Sequence, residues 1–599
     1  MHQSIRVAAR FASARMLSLL LLVGASGAAE AQALNPCGGV TVSLSPVGAA
    51  MSALPRAGIQ HSTCAGVPEF WLYNLDGLDS TVTQLEGTIQ AQLEATTSSF
   101  SHASLYFHPN LGFAPGLAAL HTNVGLRVGA FPVPQALKPI VRLYFGGPNE
   151  TAQQIYDSVT APLVALAGAD PAQWNVRVAV GRSETQLNGW NHSKLSVRDR
   201  IEAIATSYET AQQELAIHLA GEPASHAANW FDTIWNQRFI PCVGDSSLCY
   251  TVPTAPSVTA TTPHAFRSAN VLALSRGSLD SGQNFDADDA LVAGMGATER
   301  SMFFLNPALV GFVPPYSNIF SPIFMENVGD AIARGVDVKF VWGTDAQARS
   351  PGVWNVMEDI LEARFADHQL NPVRRAVGHC MFHMVSYRDA RPGAVSPESH
   401  AKFYMLDDGF YVGSQNLYPS GFMGRVYSPE LKEFGFFVDT RPGVNEDLAD
   451  EVISRIVEPV WNNSRAAVEP SAYATCNALA HPVRASGSAN TPFGVFTCGS
   501  DFNLTLDFQN VAHDQVAIAQ GQTTCTSSIY TVYVGVQGVI GTDGVFTGTI
   551  SGHLPGLTGD TAPLTGVFHQ GALNASFSGL EPIQGVPYSG TVSTRMPPP

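Results

Sequence analysis

The sequence predicts an α/β chain made of two pseudo-symmetric α-β-α sandwich halves, followed by an all-β domain. Three observations carry this. From Glu69 to Trp461, stretches with helical apolar spacing alternate with short apolar runs, the pattern of a layered structure with a central sheet. The spacing His-x-Lys-x-x-x-x-Asp occurs twice, at His192, Lys194 and Asp199 and again at His400, Lys402 and Asp407, as expected of two homologous halves. Beyond Pro482 helical spacing gives way to short runs rich in Thr, Val and Gly, which argues a β-sandwich or barrel.

Taken in order, residues 1–33 read as an export signal: Arg6, Arg10 and Arg15 precede the apolar run Met16 to Val23, and Ala-Gln-Ala ends at Ala33 as a cleavage site. That run is well short of the roughly 20 residues needed to span a bilayer, so a secreted protein is expected. Residues 34–240 form the first half, opening with a Gly-, Pro- and Ser-rich lead-in. Helices are expected at Leu78–Leu93 and Asn149–Gly168, strands at Ala103–Pro109 and Trp174–Gly181, and a closing helix at His226–Phe239. Residues 241–265 hold a cysteine loop and the linker-like run Pro-Thr-Ala-Pro-Ser-Val-Thr-Ala-Thr-Thr-Pro. The second half, 266–481, repeats the plan with helix-then-strand units at Asp288–Asn306 and Ile323–Gly343 and a closing helix at Glu446–Trp461; residues 482–599 are the β-rich module.

Eight cysteines all follow Ala33, and an even number in an exported chain favours disulfides over metal or catalysis. Sequence neighbours suggest Cys37–Cys64, Cys242–Cys249 and Cys498–Cys525, leaving Cys380 with Cys476. Removing three arginines and Glu30 with the signal reduces 32 basic and 49 acidic residues to 29 and 48, a formal charge of −19. Such a surface repels polyanions, so a nucleic-acid partner is not expected, whereas a zwitterionic lipid headgroup meets no such objection.

Around His400 and Lys402 polar residues fall at alternate positions, so both side chains leave one face of an extended strand. The following Asp-Asp-Gly turn leads into a second strand that returns Ser414 and Asn416 beside them. Lysine supplies charge, serine and asparagine supply hydrogen bonds, and histidine supplies a nucleophile or a proton, a set suited to a phosphate. Two histidines are what a phosphodiester displacement asks for, one attacking phosphorus while the other protonates the leaving alcohol.

Two complete patterns, the second followed by Gly413, Ser414 and Asn416, resemble the signature of the phospholipase D superfamily. Trp190–Lys194 (WNHSK), Val412–Ser420 (VGSQNLYPS) and Leu431–Asp439 (LKEFGFFVD) are similar to phrases of the secreted actinobacterial-type phospholipases D, and the likeness runs from about Phe70 to Cys476. The resemblance implies a bilobal fold with one shared site, a monomer needing no metal or other cofactor, and a phospholipid membrane surface as substrate. It implies His192 as nucleophile, His400 as acid and then base, and Lys194 and Lys402 as neutralisers of the nonbridging oxygens. The carboxylate that anchors each imidazole lies downstream of each motif in that family, which points to Glu214 and Glu433, both glutamates where aspartate is common. Ser414, Asn416 and Ser207 are then expected to bind the substrate phosphate, and Asp199, Asp407 and Gly413 to hold the turns.

Two departures stand out. The turn from Asp407 to Gly413 encloses five residues instead of the usual six, a trimmed hairpin. In the first half the small pair becomes Thr206–Ser207 and the asparagine position falls on Glu209, whose carboxylate would repel a phosphate unless turned away, protonated or paired with a cationic headgroup. The expected function is therefore a secreted phospholipase D that cleaves phosphatidylcholine to phosphatidic acid and choline, with possible transfer to other alcohols. The alternatives are a phosphodiesterase for another lipid such as sphingomyelin, or a catalytically impaired lipid- or glycan-binding homologue.

Overall fold

The computed structural model describes residues 43–54, 59–72, 80–147, 149–183, 191–207, 214–236, 241–256, 267–277, 285–307, 311–313, 316–319, 322–343, 351–370, 375, 378, 381–387, 399–417, 431–440, 446–466, 481–491, 494–498, 503–507, 515–528, 530–541, 545–553, 560–569, 572–580 and 587–594. The export signal, Glu209 and the Cys37–Cys64 and Cys380–Cys476 pairings lie outside the described residues. Disulfides Cys242–Cys249 and Cys498–Cys525 are formed, as expected of a chain that folds in an oxidising compartment.

One 15-stranded mixed sheet runs through both halves. Its seam is the antiparallel pair Ile59–Leu72 and Arg267–Arg276, running from Ile59 opposite Leu274 to Val67 opposite Arg267 with a register shift between Ser62 and Ala65. Outward from the seam the first half lays down Leu215–Ala220, Glu202–Thr206, Leu195–Arg198, Ser99–Ser104, Ile140–Phe145 and Arg177–Arg182, with Cys242–Gly244 at the edge. In the same order the second half lays down Glu433–Asp439, Gly409–Gly413, Phe403–Leu406, Ser301–Asn306, Asp337–Trp342 and Phe382–Ser386. The matching order and directions amount to a pseudo-twofold axis through the seam.

Helices cover both faces, because the strands are apolar on both sides. On one face Glu222–Trp235 and the closing helical segment Glu446–Ala466 share a single core that draws Ala273 and Phe434 from the seam region together with Phe231, Trp235, Leu448 and Trp461. The opposite face carries a separate core in each half, around Leu117, Val159 and Val178 in the first and Phe304, Phe340 and Phe365 in the second. The duplication reaches individual side chains. Arg142, third in its strand, lies 5.7 Å from the Trp235 ring, and Lys339, third in the equivalent strand, lies 5.6 Å from Trp461.

The expected strand at Ala103–Pro109 forms earlier, at Ser99–Ser104. Ser101 and His102 are polar but buried, His102 Nδ1 lying 2.8 Å from Ser196 Oγ, so the strand lacks an apolar signature. Burial, helped by the nearby His108, lowers the His102 pKa to about 3 and keeps the ring neutral.

From His481 to Thr594 the chain forms a closed antiparallel barrel of nine strands. Closure comes from His481–Thr491, which pairs with Asn503–Asp507 and Gly494–Cys498 on one side and with Pro587–Thr594 on the other. Side chains alternate as a barrel requires: Phe546, Leu564, Leu573 and Phe577 are buried while Thr547, Thr565, Ser576 and Thr591 are exposed. Gly538 and Gly548 leave room for the Phe546 ring, which a Cβ at either position would strike.

Asp337 begins an inner strand of the second half and is fully enclosed, with Lys339 Nζ at 3.0 Å and His383 Nε2 at 2.9 Å. Burial alone would raise its pKa, but the Lys339 ammonium and His383 more than reverse this and hold it at about 2. Its folded pKa thus lies below the unfolded value, so its contribution is complete above about pH 4 and is lost as the pH falls toward 2. Asp337→Asn should cost about 3–5 kcal/mol in urea unfolding at pH 7, because it strands a buried cation, and the deficit should shrink as the pH is lowered toward 2.

Candidate active site

Each motif histidine lies just before a hairpin of the sheet. Strand Ile140–Phe145 ends beside Gly146 and strand Asp337–Trp342 beside Gly343, where a Cβ would collide with the carbonyls of Asn191 and Ser399 respectively. These glycines let the segment leading into each motif cross the end of the sheet. Asn191 further anchors the first segment, its amide donating to the Ser104 and Tyr144 carbonyls at 3.2 and 3.3 Å.

The motif aspartates hold the hairpin turns. Asp199 and Asp407 both take left-handed conformations, with φ of 51° and 50°, a region aspartate tolerates better than most residues. The Asp199 carboxylate accepts from the Thr97, Ser98 and Ser99 amides at 3.1, 2.7 and 2.9 Å, and Asp407 accepts from those of Glu299, Arg300 and Ser301 at 3.1, 2.8 and 3.1 Å. In each half the turn is thereby tied to the start of the neighbouring strand.

The carboxylates cross between halves. His192 Nδ1 lies 2.9 Å from Glu433 Oε2, and His400 Nδ1 lies 2.9 Å from Glu214 Oε1. A carboxylate at this distance accepts from Nδ1–H, which leaves Nε2 of each ring to face a reactant. The main chain seals the first crossing, His192 N donating to the Lys432 carbonyl at 3.0 Å. Both glutamates are buried, as is His192, while the His400 side chain is 18% exposed and so has the readier access to water.

Each lysine folds back on its own histidine. Lys194 Nζ donates to the His192 carbonyl at 2.9 Å and lies 3.4 Å from its Nε2, whereas Lys402 Nζ donates to the His400 carbonyl at 2.7 Å and lies 2.6 Å from its Nδ1 and 2.7 Å from its Nε2. Asn416 Nδ2 completes the first cluster, 3.5 Å from His192 Nε2. Each imidazole thus has an ammonium group of its own half and a carboxylate of the other beside it, and His192 has an amide as well.

Ser414 and Ser207 are equivalent and bond the acid-bearing strands. Ser414 Oγ donates to Glu433 Oε2 at 2.6 Å and accepts from Phe434 N at 3.0 Å; Ser207 Oγ accepts from Leu215 N at 2.9 Å. Gly413 passes so close to Gly435 and the Tyr411 hydroxyl that a Cβ would not fit. Burial, followed by the Glu433 charge, pushes the Tyr411 phenol well above its ordinary pKa and keeps it neutral. Sequence reasoning missed Arg276, Asp288, Asn306 and the role of Gln415, which together back the Asn416 segment. Gln415 stood inside a quoted motif, but an arginine at a strand end carries no signal of burial.

The chain matches no protein-family model and no curated protein. Among solved structures it is similar to phosphatidylserine synthase of Haemophilus influenzae Rd KW20, with 10% identity over 70% of this chain and 91% of that one and a TM-score of 0.40. It is also similar to yeast tyrosyl-DNA phosphodiesterase, with 12% identity over 64% of this chain and 90% of that one and a TM-score of 0.33.

If the aspartate anchors act on the turn, Asp199→Ala should cost about 3 kcal/mol in urea unfolding, by leaving the Thr97–Ser99 amides without their acceptor. A loss under about 1 kcal/mol would mean that the turn is held by other contacts.

Proposed function

We propose that this chain is a member of the phospholipase D superfamily, a phosphodiesterase that hydrolyses the distal phosphodiester of glycerophospholipids, phosphatidylcholine among them. The observation that carries the reading is the crossed pairing of His192 with Glu433 and of His400 with Glu214, which equips two imidazoles of one cleft for nucleophilic and acid–base work. The same reading takes residues 1–33 as an export signal and the mature chain as a secreted monomer acting at a phospholipid surface.

In this mechanism the neutral Nε2 of His192 attacks phosphorus while the P–O bond to the headgroup alcohol breaks. His400, charged at that moment and steadied by Glu214, gives its Nε2 proton to the departing oxygen. Lys194, Lys402 and Asn416 hold the nonbridging oxygens as negative charge gathers on them. Now neutral, His400 takes a proton from water as the water oxygen bonds phosphorus and the P–N bond breaks, which releases phosphatidic acid and restores both rings. An alcohol in place of water gives the transfer product. The greater exposure of His400 suits the residue that must meet first the leaving alcohol and then water, and the burial of His192 suits a nucleophile shielded from it.

Choline release from phosphatidylcholine vesicles, measured with EDTA present, tests this. Wild type should retain activity, and His192→Ala and His400→Ala should each lose at least about 10³-fold in kcat. Full activity in either variant, or dependence on an added metal, overturns the mechanism. Sphingomyelin and lysophosphatidylcholine in the same assay report the preferred lipid.

A further inference from the structure

Asn416 sits on a segment braced from behind. The Gln415 carbonyl accepts from Asn306 Nδ2 at 3.3 Å, and Leu417 N donates to Asn306 Oδ1 at 3.3 Å, so one side chain clamps the backbone on both sides of Asn416. The Gln415 side-chain amide donates to Asp288 Oδ1. Asp288 lies in the first turn of helix Asp286–Ala297, and its other oxygen is 3.3 Å from Arg276 Nε, with both side chains fully enclosed at 0% exposure. The Arg276 guanidinium lies 5.4 Å from the Phe285 ring, and Arg276 stands directly opposite Glu433 in the neighbouring strand. The pair therefore backs two of the groups that touch His192: the strand of Glu433 and the segment of Asn416.

A buried ion pair seldom repays its desolvation in stability, and an apolar replacement is often as good. Its place beside the His192 cluster points to geometry as its use. We propose that Asp288, braced by Arg276, is a positioning residue that fixes Gln415 and so aims the Asn416 amide at the phosphate site beside His192 Nε2. Among the described residues the brace is seen in the second half. The support thus serves the histidine read above as the nucleophile.

The proposal rests on the phosphodiesterase reading, and its test separates the two. Gln415→Leu keeps the volume and removes the amide that Asp288 holds. Wild type, Gln415→Leu, Asn416→Ala and the double variant are compared by calorimetric binding of orthovanadate, a phosphate mimic, and by choline release. Gln415→Leu should lose about 10- to 100-fold in vanadate affinity and kcat, with little change in KM or unfolding midpoint. Adding it to Asn416→Ala should cost little more, because both act through one amide. Asp288→Leu, which removes the acceptor, should show the same pattern, and if it fails to fold, Gln415→Leu decides. Unchanged binding in Gln415→Leu, or losses that add in the double variant, overturn the brace alone. A wild type that neither binds vanadate nor releases choline overturns the phosphodiesterase reading and the brace with it.

Discussion

Each motif histidine is anchored by a carboxylate from the other half of the molecule, and the arrangement of the rest follows from that exchange. A carboxylate on the same half would let each half keep its own imidazole in order. With Glu433 on His192 and Glu214 on His400, neither half holds an ordered histidine alone. The two halves must then keep a fixed mutual register to within hydrogen-bonding tolerance, a demand that a loose interface between lobes would not meet.

The seam meets it with backbone. Ile59–Leu72 and Arg267–Arg276 join the halves as neighbouring strands, and Leu215–Ala220 and Glu433–Asp439, the strands that carry or follow the two glutamates, pair directly with the seam strands. Each glutamate therefore inherits its position from a ladder of main-chain hydrogen bonds. The shared core under the two closing helices stiffens the same junction.

Much of this was legible in the sequence because the chemistry demands particular residue types at particular spacings. The repeated motif singled out both histidines and both lysines, and the family resemblance pointed to Glu214 and Glu433 downstream of them. Spacing could not say which carboxylate meets which imidazole, since that depends on strand order across a junction whose paired residues, such as Ile59 and Leu274, are themselves far apart in the chain. Nor could it separate the partners of a hydroxyl: Ser414 and Ser207 stand where phosphate donors were expected, yet their bonds run to the acid-bearing strands. Arg276 and Asp288 were invisible for a related reason, because each charge is buried against the other in the folded chain. The strand Ser99–Ser104 was displaced in the reading because its buried polar residues are satisfied by neighbours that sequence alone does not reveal.

The unbroken sheet also limits how the cleft can work. Many two-lobed enzymes close like jaws around a reactant, swinging about a few linking residues. Here such a swing would have to tear the strand pairing between Ile59–Leu72 and Arg267–Arg276 and part the hydrophobic layer beneath it. On the phosphodiesterase reading, the floor of the site therefore stays rigid while reactants come and go.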